Sequence, residues 1–164
     1  MDHYGTPEGF TAYHEARNRD VSEFSGVSVV AALLVASEWL DAAYLTRFGG
    51  RRVASVVDQV REWPRYDAYD VAGHSLSYVS VPVQIEHATY EVALRYLQDN
   101  TVLHADYTPN KYKRVSIDGA MSVDFNMLDA SSAQKQFPIV GAILAPILGV
   151  EGWLSPLSSG TTRA

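Results

Sequence analysis

Apolar residues recur at helical spacing in several stretches of this chain and at alternate positions in one. The first helical stretch begins at Thr6-Pro7-Glu8, which supplies a hydroxyl cap, a proline where no amide hydrogen is needed and an acid in the first turn. It predicts a helix from about Pro7 to Asn18 with Phe10, Tyr13 and Ala16 at helical spacing, then a loop to Asp20. The second stretch is the strongest. Capped by Ser25 or Ser28, it runs to about Arg47, with Val29, Leu33, Ala36, Leu40 and Ala43 in one stripe. A flanking stripe of Val30, Leu34, Tyr44 and Phe48 widens the apolar arc, which predicts packing on more than one side. Gly49-Gly50 is the expected stop, because glycine accepts the left-handed conformation there. Val53 to Val60 reads as a short third helix ended by Trp63-Pro64, since the residue before proline avoids the helical region.

Residues 66–80 are aperiodic and rich in tyrosine, serine and glycine, as expected of a loop crossing a surface. Val81-Pro82 opens a further helix to about Gln98, with Ile85, Ala88, Val92 and Tyr96 on one face. Glu91 and Arg95 form an i,i+4 pair in the favourable order. After a polar connector over 99–110 the period changes to two. KYKRVSI and AMSVDF flank Asp118-Gly119, a strong short-range hairpin signal. Pro138 opens a last helix, PIVGAILAPILG, which Pro146 kinks or ends. The expected fold is mainly α: a small bundle of four to five helices with a β-hairpin insertion and a flexible C-terminal tail. It divides into a helical domain over 1–151, with the hairpin near 111–126, and an arm over 152–164.

At 164 residues the chain is long enough to bury a real core. It has no cysteine, which removes disulfides and thiolate chemistry. Its 13 basic and 19 acidic residues give a net charge of −6, the wrong sign for a chain that neutralises many phosphates. No uninterrupted apolar run has the ~18–20 residues of a membrane span. MDHYGTPEGF lacks the basic and apolar regions of a signal peptide, so the expectation is a soluble protein made in a cytoplasm.

His3, His14, His74, His87 and His104 fall at no metal-ligand spacing, and His87 reads as a core or boundary histidine. Neither a nucleophile elbow nor a phosphate-binding glycine loop occurs. Glu38 and Asp41 lie one turn apart, an arrangement that usually marks a solvated face. The expectation is no enzyme, no cofactor and no metal. Arg47, Arg51, Arg52, Arg61 and Arg65 interleave with Phe48, Trp63, Tyr66 and Tyr69, which is how single-stranded nucleic-acid binders combine charge with stacking. Against this, Asp58, Glu62, Asp67 and Asp70 lie in the same stretch. A buried Trp63 with arginines paired to those acids is the favoured reading. Trp153-Leu154, in the Ser/Thr/Gly-rich tail, is either an anchor for a partner or a segment that folds back.

Five segments in order, ASEWLDAAYLTRFGGRR, REWPR, VPVQIEHATYEVALRYLQ, KRVSIDGAMSVDFN and FPIVGAILAPILG, resemble the head–tail connector family of tailed phages. Its members often carry the label DnaT-like single-stranded-DNA-binding protein. The resemblance covers about Gly9 to Gly149. It implies a structural virion adaptor in the neck that forms a ring of twelve copies beneath the portal and joins capsid to tail. Its partners would be the portal protein, other neck or tail-completion proteins and itself, with no membrane. DNA would pass through the channel without specific binding, and an acidic balance suits sliding.

On that reading the C-terminal segment meets the portal, through Ile147, Leu148, Trp153 and Leu154, with the basic hairpin residues Lys111, Lys113 and Arg114 as further contacts. Arg47, Arg51, Arg52 and Arg65 are then expected at the interface between subunits. The loops over 66–80 and 99–110 depart from the family pattern, and are candidates for contacts to a neighbour. The alternative carried by the label is an accessory protein binding single-stranded DNA through Arg47–Arg65 and Trp63.

Overall fold

A computed structural model of the chain describes residues 2–55, 57–99, 114–117, 121–124 and 137–148. The fold is mainly helical with a small hairpin, as the periodicity predicts. Its helices are α1 (Pro7–Glu15), α2 (Gly26–Tyr44), α3 (Val83–Asp99) and α4 (Pro138–Leu144). Strands β1 (Arg51–Arg52) and β2 (Arg65–Tyr66) form one antiparallel ribbon, and β3 (Arg114–Ile117) and β4 (Met121–Asp124) another. In the second ribbon Arg114 lies opposite Asp124 and Ile117 opposite Met121. The Asp118-Gly119 turn expected between them lies outside the described residues, as do Lys111, Lys113, the 99–110 connector beyond Asp99 and the arm over 152–164.

Local chemistry accounts for the helix ends. The Thr6 hydroxyl accepts the Gly9 amide at 3.0 Å, with Pro7 in the first turn. α1 stops at Glu15, short of the expected Asn18, which instead takes a left-handed φ of 55°. Ser25, the first of the two candidate caps, accepts the Ser28 amide and starts α2. A short 3-10 turn, Leu45–Arg47, carries α2 to its glycine stop. Gly50 has φ +68°, and a Cβ there would press against the Tyr66 carbonyl oxygen across the β1–β2 ribbon. Gly50→Ala is expected to cost about 1–3 kcal/mol of stability, read from urea unfolding. A cost near zero would show that the ribbon shifts freely.

The core lies where α2 crosses α3, with α1 and α4 closing its sides. Trp39, Leu33, Leu40, Ile85, Val92, Val140 and Leu144 are fully buried there. Over Gly26–Arg47 the chain is long and apolar enough to cross a membrane by length and composition alone. Its acidic residues Glu38 and Asp41 are both tied to Arg61, and one side forms the core, so α2 reads as the central helix of a bundle. The wide apolar arc is only partly used, because Val30 and Leu34 are exposed instead of packed.

No helix forms over 53–60 among the described residues; a single turn does. Ser55 accepts the Asp58 and Gln59 amides, and its hydroxyl donates to Asp58. The Gln59 carboxamide accepts from the Ala54 amide and donates to the Arg61 and Pro64 carbonyls, each at 2.9 Å. These side-chain bonds replace a helical ladder that the stiff β-branched valines would have supported weakly.

Candidate functional site

The Arg47–Arg65 corner is built from the end of α2, the β1–β2 ribbon and the turn between its strands. Trp63 is 2% exposed and meets Phe48 edge to face at 5.6 Å. Its backbone amide donates to the Tyr4 hydroxyl at 3.0 Å, and that hydroxyl donates to Asp41 at 2.6 Å. Burial, first, and the Asp41 carboxylate beside it hold the Tyr4 phenol far above its ordinary range. Asp41 is itself raised, by its own burial, against the opposing pull of Tyr4 and Arg61.

The arginines divide into an inward and an outward set. Arg61 is buried: it donates to the Asp2 carbonyl at 2.7 Å and pairs with Asp41 at 3.4 Å and Glu38 at 3.3 Å. Arg65 is buried as well, donating to the Gly49 and Gly50 carbonyls and to Glu62 at 2.6 Å. Arg52 shares Glu62 at 3.4 Å. Arg51 points outward, with a side chain 75% exposed, a loose 3.3 Å pair to Asp67, and its guanidinium 5.5 Å from the Tyr66 ring. Arg47 lies 5.6 Å from the Tyr44 ring and makes no ion pair among the described residues.

Acids do neutralise the corner, but with different partners from those its own stretch suggests. Glu62 and Asp67 act as expected. Asp58 holds Ser55 instead, and Asp70 holds His74 at 3.0 Å. Arg61 reaches back to α2 for Glu38 and Asp41; Asp41 is covered by this guanidinium, while Glu38 stays solvated, its side chain 58% exposed. Two acids one turn apart on the helix preceding an arginine-rich corner were the available signal.

The expected contact residues separate in the same way. Arg65 is tied inside the corner and Arg52 is half covered by Glu62, so the least engaged members of that set are Arg51, with its loose pair to Asp67, and Arg47, half-buried and without an ion pair among the described residues. Ile147 and Leu148, expected at a partner, are 2% and 4% exposed; Leu148 is bridged to Phe48 and both belong to the core. The side chains of Lys111, Lys113 and Arg114, and the residues Trp153 and Leu154, lie outside what is described.

Outside the corner, Glu91 forms a second polar centre that helical pairing only partly foretold. It does meet Arg95, at 2.8 Å, but it is buried and also receives the Tyr13 hydroxyl at 3.0 Å and Arg19 at 2.9 Å. His14, buried beside it, directs Nε2 at the Tyr90 carbonyl, 3.1 Å away. His87 packs half-buried against the Tyr13 ring at 4.6 Å. Among the described residues no group of three or more His, Cys, Asp or Glu side chains is placed to hold a metal ion.

The interleaving of Arg51 and Tyr66 gains a member from a distant loop, Tyr78, which their own stretch does not contain. The Tyr66 and Tyr78 rings lie 5.0 Å apart with Arg51 beside them. The loop carrying Tyr78 is fastened by the Val71 amide to the Pro146 carbonyl at 2.9 Å and by Asp70, which accepts the Ala72 and His74 amides. Nothing periodic announces Tyr78 here, because it comes beside the other two only through the fold.

No curated protein and no solved structure matches the chain. Residues 1–160 match the family described as "Putative DnaT-like ssDNA binding protein". With nearly its whole length matched, the chain belongs to that family.

Proposed function

We propose that this protein is a structural adaptor of a phage neck, a ring-forming component between portal and tail in the virion, where DNA passes without specific binding. The observation that carries the reading is the inward fastening of the corner. Trp63 is buried, Arg61 and Arg65 are tied to carbonyls and carboxylates, and Arg52 shares the Glu62 carboxylate with Arg65. What remains on the described surface is apolar more than basic: Val27, Val30, Leu34, Val71 and Val79 are all exposed. Such surfaces suit protein contacts, while phosphate binding needs unpaired cations. The order of the five segments supports the same reading. Mixing the chain with portal protein is expected to give a large symmetric assembly by light scattering. Failure to co-assemble with portal, on both empty and DNA-filled heads, overturns the proposal.

The family description favours a second reading, binding of single-stranded DNA. The corner then contributes through its exposed part, with Tyr66, Tyr78 and Arg51 as a stacking platform, since buried Trp63 offers no face to a base. That reading predicts salt-sensitive binding of an oligonucleotide, lost on changing Arg51 and Arg52 together to glutamate. No measurable binding at low salt removes it.

A further inference from the structure

Phosphate binding needs cations with donors left over, and the corner has few; the seam between α1 and α3 has three such cations. Arg17 and Arg19 follow α1, and Arg95 lies on α3. Arg19 and Arg95 bracket one oxygen of a single carboxylate: their Nη1 atoms reach Glu91 Oε2 at 3.1 and 2.8 Å. That carboxylate is buried, while the two guanidiniums come to the surface on side chains 41% and 32% exposed. Arg17 is exposed too. Its Nη1 donates to the Tyr13 carbonyl at 2.8 Å, and its guanidinium carbon sits 3.5 Å from the Tyr13 ring centre. The Tyr13 hydroxyl in turn donates to Glu91 at 3.0 Å, so the third cation belongs to the same cluster.

Charge and hydrogen-bonding capacity are both in surplus here. Three guanidiniums face one carboxylate, and Glu15, Asp20 and Glu86 form no ion pair among the described residues. Each arginine uses Nη1 alone on the protein. Nε and Nη2 of all three make no hydrogen bond among the described residues. The field of the cluster reaches the neighbouring histidines. His87, 4.6 Å from the Tyr13 ring, and buried His14 are both held below the ordinary imidazole range, first by burial and with Arg17 pushing the same way. A neutral partner leaves this surplus in place. A phosphate group, with several acceptor oxygens around one centre and about two negative charges, meets it more fully than a planar carboxylate does.

We propose that Arg17, Arg19 and Arg95 form a binding site for a phosphate group, which accepts from their remaining Nε and Nη2 donors. Glu91 is the positioning residue that holds Arg19 and Arg95 together, and the Tyr13 and His87 rings flank the site. The site uses none of the residues of the corner, and stands or falls apart from both readings of the corner. The phosphate belongs to a small molecule or to a nucleic-acid backbone, which present the same group.

The full-length protein is titrated with sodium phosphate and, at matched ionic strength, with sodium chloride. The readouts are its melting temperature and the NMR signals of the His87 and Tyr13 rings. Phosphate is expected to raise the melting temperature and to shift both rings, beyond what chloride does. Arg17→Gln leaves every Glu91 bond in place and is expected to weaken phosphate binding by about tenfold, with Arg17→Lys restoring part of it. A short oligothymidylate is the second probe. Oligonucleotide binding that is lost in Arg17→Gln, and kept when Arg51 and Arg52 are both changed to glutamate, assigns the phosphate to a nucleic-acid backbone. Phosphate binding without oligonucleotide binding assigns it to a small molecule. Phosphate indistinguishable from chloride, shifts confined to other residues, or an undiminished response in Arg17→Gln each overturns the proposal. So does polyglutamate that binds here while phosphate does not, which makes the seam a site for an acidic peptide.

Discussion

Replacing Trp63 with alanine is expected to lower the unfolding free energy by about 3–5 kcal/mol and the melting temperature by roughly 10 °C. The indole is 2% exposed and packed against Phe48, so its removal leaves a cavity beneath the corner. Its ring N–H meets no acceptor among the described residues, so the loss is one of packing rather than hydrogen bonding. Trp63→Phe therefore recovers most of the stability. The backbone bond from residue 63 to the Tyr4 hydroxyl survives both changes. Chemical denaturation of the three proteins reads the series directly. Unchanged stability in Trp63→Ala would mean that the ring is not the floor of the corner, and would return it to the surface as a stacking residue.

A second large effect is expected at Glu91. Glu91→Leu removes the acceptor for Tyr13, Arg19 and Arg95 together. Breaking a fully buried ion pair typically costs about 3–5 kcal/mol. Both arginines here reach water, with side chains 41% and 32% exposed, so they rehydrate and about 2–3 kcal/mol is expected. Tyr13→Phe, which removes one hydrogen bond, costs about 1 kcal/mol.

The same centre makes stability sensitive to acid. Burial on its own would raise the Glu91 pKa; the hydrogen bonds from Arg95, Tyr13 and Arg19 outweigh it and hold the group below its ordinary range. Its contribution is present above the usual carboxylate pKa of about 4.3 and lost as pH falls through the folded value. His14 is lowered too, first by burial, so the unfolded chain takes up that proton before the folded one does. Protonation would also place a second N–H at Nδ1, facing Arg19. Stability is thus expected to begin falling below about pH 6.5 through His14 and to fall further below about 4.3 through Glu91. His14→Gln flattens the upper part of a melting-temperature profile and Glu91→Leu the lower part. A profile flat from pH 7 to 5 in the natural chain would contradict this assignment.

What could be read from the chain in advance was mostly local. Thr6, Ser25 and Pro138 mark helix starts because a cap or a fixed φ acts within a few residues. Gly50 marks a stop for the same reason, and two-residue alternation marks the β3–β4 hairpin. The acids of the corner were visible, and the burial of Trp63 was favoured from them. What stayed hidden depends on residues far apart. Arg61 selects Asp41 and Glu38 over the nearer Asp58, because the corner folds back along α2. Ile147 and Leu148 look like an exposed hydrophobic end until Leu148 is bridged to Phe48. Val53–Val60 looked helical because a run of apolar residues does not reveal that Gln59 will hold the backbone in another shape.

The Phe48–Leu148 bridge bears on how the chain acquires its structure. Helical bundles of this size usually gain their speed from contacts between neighbouring segments. Here the decisive ties join distant positions: Tyr4 to Trp63 across 59 residues, Tyr13 to Glu91 across 78, and Phe48 to Leu148 across more still. Loop-closure entropy must be met before any of them forms. During synthesis α1, α2 and the corner emerge well before α3 and α4, with Phe48 and Trp39 lacking part of their cover until residue 148 is out. The chain is therefore expected to fold slowly for a helical protein, its newly made N-terminal half exposing apolar surface of the kind chaperones cover.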